Sequence, residues 1–81
     1  MQQVGQSARE LQKLRVGSIQ EGKRILEMIA EETADTVFKM REEGIANTDW
    51  NLLADKHHEL IKAKRHIQNQ MAQIFRVTRG V

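Results

Sequence analysis

Three histidines are the first residues in this chain that could do chemistry: His57, His58 and His66. A metal held on one helix needs ligands three or four positions apart, so that two imidazoles share a face within a turn. His66 lies nine positions from His57 and eight from His58, which is too far for either pair. Asp55, His58 and Glu59 form only a loose acidic surface group, and no metal site is expected. The carboxylate pairs Glu31-Glu32 and Glu42-Glu43 read as solvated helix faces. No Ser–His–Asp set, glycine-rich phosphate loop or HExxH helix is present, and Cys and Tyr are both missing. Nothing names a nucleophile or a base, so neither a catalytic residue nor a cofactor is expected.

The remaining chemistry is charge. Thirteen Lys and Arg against eleven Asp and Glu give a net charge of +2. That is far below the basic excess of a dedicated nucleic-acid module. The distribution is more telling than the sum. Arg9, Lys13, Arg15, Lys23, Arg24, Arg76 and Arg79 collect toward one end of the expected fold, and Lys64 and Arg65 add to them. These nine cations are the candidate contact for nucleic acid or another acidic partner. A nucleic-acid reader usually adds aromatic stacking groups or a helix-turn-helix, and neither accompanies them. A membrane-surface helix ranks lower still, because no clean apolar face flanks the cations.

The elements that must position these residues are helical. The chain has 81 residues, no Pro and few β-branched runs, enough for one small domain. Ser7-Ala8-Arg9-Glu10 and Ser18-Ile19-Gln20-Glu21 both read as capping boxes. The first predicts a short helix over 8–16, with a joint at Gly17. The second predicts a long helix over 19–43, in which Ile19, Leu26, Ile29, Ala30, Val37 and Met40 form a stripe and Gly44 is the C-terminal stop. Thr48 or Asp49 is expected to cap a third helix over 49–77, where Leu53, Leu60, Ile67 and Ile74 recur every seven residues. Trp50 is expected to staple the closed end, and Met28, Met40 and Met71 to fill the seam.

Two long helices and one short connection predict an all-α antiparallel hairpin. Setting Met40 level with Leu53 brings Thr33 to Leu60, Leu26 to Ile67 and Ile19 to Ile74. The same register sets Glu31 level with Lys62 and Glu27 level with His66. One seam cannot hide all the apolar side chains. Ile25, Met28 and Phe38 on the second helix, and Leu52, Ile61 and Phe75 on the third, are the candidate partner interface. The expected completion is a four-helix bundle or a larger helical assembly, and the expected function is non-enzymatic association, with itself or as a small subunit or adaptor.

In architecture the chain resembles two-helix subunits that dimerise into four-helix bundles. It also resembles the needle and inner-rod subunits of type III secretion systems, small secretion chaperones and phage accessory proteins. Needle subunits usually carry prolines in the turn, where this chain has Gly44-Ile45-Ala46-Asn47. The longest apolar stretches are broken by Glu27 and Glu31, too short to span a bilayer, and residues 1–7 lack a basic head followed by an apolar run. Cytoplasmic residence is expected, and export without a cleavable signal is compatible with the same features.

Overall fold

A computed structural model describes the backbone of residues 8–80 and the side chains of residues 8–77. It is an all-α hairpin: α1 spans Ala8–Leu11, α2 Ile19–Met40 and α3 Asn47–Gly80. The long helices α2 and α3 pack against each other, and α1 packs on α3. The molecule measures 55 × 24 × 16 Å, with a radius of gyration of 14.9 Å. A globular chain of this length would have a radius of about 12 Å. The hairpin is therefore a rod with a high surface-to-volume ratio.

The start of α2 follows from Ser18. Its backbone is extended, and its Oγ accepts a hydrogen bond from the Glu21 N–H at 3.1 Å. Glu21 reaches back one residue further than an ordinary box, to the Gly17 N–H at 2.7 Å. Two N–H groups at the entry to the helix are thereby satisfied. The expected box at Ser7 lies outside the described residues.

The other boundaries differ from the sequence expectation. α1 stops at Leu11 instead of running to 16, and α1 with the non-helical residues 12–17 after it forms a strap along α3. α2 ends at Met40, three residues before the predicted 43. Gly44 is not the residue that terminates it. It occupies a turn further on, where its φ of +80° is the left-handed conformation glycine adopts without strain. α3 begins at Asn47, and the Trp50 N–H bonds to the Ala46 carbonyl at 2.9 Å, so neither Thr48 nor Asp49 is the cap. Asp49 sits in the first turn, where its charge suits the positive helix end.

The core comprises Leu11, Val16, Ile25, Ile29, Leu60, Ala63 and Ile67. The buried row on α2 is thus Gly22, Ile25, Ile29 and Thr36. It shares Ile29 with the expected Leu26–Met40 stripe but is otherwise rotated toward Ile25, which joins Leu11 and Val16 in the core. Thr36 can be buried because its hydroxyl donates to the Glu32 carbonyl one turn back, at 2.7 Å. Gly22 faces Met71, a pairing in the same register as Leu26 with Ile67. A β-carbon at Gly22 would stand 2.5 Å from the Met71 side chain, so the glycine permits the close approach.

Candidate interaction site

The two long faces of the hairpin differ. One face carries the strap, which is held by polar side chains of α3. Gln70 uses both ends of its amide: Oε1 accepts from the Val16 N–H at 2.6 Å, and Nε2 donates to the Leu14 carbonyl at 2.8 Å. The side chain does for the strap what a neighbouring strand would do. The His66 Nε2 lies 2.8 Å from the same carbonyl and 2.6 Å from the Gln70 amide nitrogen. The Gln12 amide donates to the Glu59 carboxylate at 2.9 Å and to the Glu59 carbonyl at 3.2 Å. This clasp lowers the Glu59 pKa below the usual carboxylate range. The Gln12 hydrogen bond is the largest cause, and Lys62 and Arg9 lower it further against an opposing desolvation.

The opposite face has no covering segment among the described residues. There α2 and α3 leave a groove of about 520 Å³, lined by Leu26, Glu27, Ile29, Ala30, Thr33 and Ala34 from α2 and Ile61 and Lys64 from α3. Its floor is apolar, and two alanines make one wall low. Ile61 and Lys64 belong to a second row on α3, spaced in the sequence alternately by four and three: Trp50, Ala54, His57, Ile61, Lys64, Gln68, Met71 and Phe75. That spacing is the seam of a coiled coil. Trp50, Ile61 and Phe75 in this row are all exposed, Phe75 by 54%.

The expected interface residues separate on this frame. Ile25 belongs to the chain's own core at 8% exposure, in the cluster that includes Leu11 and Val16. Ile61 lines the groove. Phe75 is in the same α3 row, and Phe38 projects from α2 at 78% exposure. Met28 stands on the other flank of α2, one turn from both Ile25 and Glu32. Leu52 falls on the strap's side of α3, seven residues before Glu59; both Met28 and Leu52 are exposed. Trp50 is 42% exposed in place of closing the end as a buried staple, and Val77 is a further exposed apolar residue. Ala30 and Thr33, expected on the inner stripe of α2, instead line the groove together with Ala34, which the sequence reading did not name. The signal for that wall is the small-residue spacing beside Leu26.

The cations do not form one patch. Arg9 is beside Glu59, at 3.7 Å, about halfway along α3 and not at the open end. The strap sets it there by running back along the hairpin. Arg15 borders a hollow of mixed lining, with Val16, His66, Gln73 and Ile74, on the strap's face, whereas Lys64 lines the opposite groove. Arg65 borders a third hollow with His58 and Lys62. Lys23, Arg24 and Arg76 are exposed on the open half, as is Lys13 on the strap, and the Arg79 side chain lies outside the described residues.

The expected cross-helix ion pairs also change. Lys62 pairs with Glu59 on its own helix at 3.4 Å, and His66 turns to the strap, so neither meets Glu31 or Glu27 in the way the register suggested. The cross-helix pair is Glu32 with Lys56 at 3.2 Å, near the closed end. Among the described residues no three His, Asp or Glu side chains converge as a metal site, and no helix is long and apolar enough to cross a membrane. No protein-family model, curated protein or solved structure matches the chain.

Proposed function

We propose that this chain is a non-enzymatic helix–helix association module, acting as a homo-oligomer or as a small subunit of a larger assembly of the secretion or phage kind. The observation that carries the reading is the second seam on α3, which runs beside an open apolar groove and exposes Trp50, Ile61 and Phe75. Burying a large apolar side chain is worth about 1.5–3 kcal/mol. A few of them match the ~5 kcal/mol of stability expected of a domain this small. The balance favours covering them with another helix surface.

Sedimentation equilibrium from micromolar to several hundred micromolar tests the proposal. A mass that rises with concentration is the expected result. A cooperatively folded monomer throughout that range overturns it. Binding of nucleic acid or an acidic partner through the basic residues has weaker support, since Arg15 and Lys64 lie on opposite faces and Arg9 is engaged by Glu59.

A further inference from the structure

We infer that the groove between α2 and α3 receives a second copy of this chain in the reversed orientation, closed end beside open end. This deepens the association reading and rests on it. The occupant is identified by charge. The closed half of the hairpin carries Glu31, Asp35, Glu42 and Glu43 on and beyond α2, outnumbering Lys39 and Arg41. The open half of α3 carries Lys64, Arg65, Arg76 and Arg79 and no acid. The rod is therefore acidic at one end and basic at the other. Two such rods laid side by side in the same direction bring their basic ends together. Reversed, each basic end lies beside an acidic one, an attraction that salt screens over roughly 8–10 Å.

The second seam on α3 also reads the same in reverse. Paired antiparallel about its centre, Trp50 of one copy is level with Phe75 of the other, Ala54 with Met71, and His57 with Gln68. Aromatic meets aromatic and polar meets polar, and the small Ala54 lies level with Met71, which also packs on Gly22 of its own chain. Ile61 at the centre meets the aliphatic stem of Lys64, whose ammonium group reaches past it to water. The same arrangement sets Asp49 of one copy level with Arg76 of the other. On α2 it brings Ala30 next to its own counterpart, and the small side chains of Ala30 and Ala34 let the two helices approach closely.

The chain has no cysteine among its residues, so introduced thiols report position without interference. Three single variants replace small alanines: Ala30→Cys, Ala54→Cys and Ala72→Cys. Each is checked for native helicity by circular dichroism, sized by sedimentation, and treated with a short bismaleimide. The reversed pairing predicts a dimer in which Ala30→Cys chains link to one another. It also predicts that Ala54→Cys chains link to Ala72→Cys chains when mixed, at least tenfold faster than either links to itself. A dimer in which Ala54→Cys links to itself, or in which every variant is silent, overturns the reversed groove pairing and leaves association standing. A monomer at all concentrations overturns both.

Discussion

The two long faces of this hairpin solve the same problem in different ways. Both are gaps between α2 and α3 that two cylinders leave uncovered. On one, the strap adds Leu11 and Val16 to the core that also holds Ile25, and Gln70, His66 and Gln12 hydrogen-bond its polar groups to α3. On the other, Leu26, Ala30, Thr33 and Ile61 line a groove that no described segment enters. A third element suffices to close a side, and a two-helix hairpin has two sides. Among the described residues the chain supplies one cover and leaves the second site with the same kind of apolar floor, which supports association.

The largest effect separating the faces should come from isoleucines on α3. Ile67 is fully buried between the helices, and Ile67→Ala is expected to cost about 2–5 kcal/mol in urea denaturation. Ile61→Ala, under conditions where the chain is monomeric, should change stability by only about 0.5 kcal/mol. It should instead weaken association at higher concentration. Equal losses of monomer stability at the two positions would erase the distinction between a filled and an open face.

A smaller effect is expected from the clasp. Gln70→Ala removes the acceptor for Val16 N–H and a donor for Leu14 C=O, at a cost of about 1–3 kcal/mol. Amide exchange should speed up at Val16 while the α2–α3 core stays protected. Loss of protection throughout would show that the strap is part of the core unit and not a cover laid over it.

The smallest effect is pH-dependent and belongs to Glu59. Its pKa is lowered in the fold, so the stabilisation is present above the ordinary carboxylate value of about 4.3 and is lost as pH falls through the lowered folded value. Acid should therefore loosen the Gln12 end of the strap first. Comparing denaturation midpoints at neutral pH and below pH ~4, the range set by that carboxylate value, Glu59→Gln should shift less than the parent chain. An identical shift in both would place the acid sensitivity elsewhere.

Much of the hairpin was legible in the residues. Ser18 and Glu21 marked the entry to α2, and the seven-residue spacing of Leu60 and Ile67 marked the inner row of α3. Helix ends were less legible. Nothing local stops α2 at Met40 rather than at Glu43, and Asn47 starts α3 before the acidic residue that looked like its cap. The capping box at Ser7–Glu10 predicts a helix through residue 16, but only its first turn, Ala8–Leu11, is helical. The strap is held by Gln12, His66 and Gln70, polar residues whose complementarity appears only when positions some fifty apart meet.

Composition and periodicity by themselves determined that the chain forms two long amphipathic helices joined by a short turn, because helix formation is governed by local spacing, capping and the absence of proline. They did not determine which of two neighbouring apolar rows turns inward. On α2 the row through Ile25 and that through Leu26 are almost equally apolar, and rotating the helix by about 100°, the turn per residue, exchanges them. Tertiary packing made that choice. Ile25 shares a core with Leu11, Val16 and residues of α3 whereas Ile61 faces an open groove, and burial energy depends on what stands opposite a side chain rather than on the side chain alone.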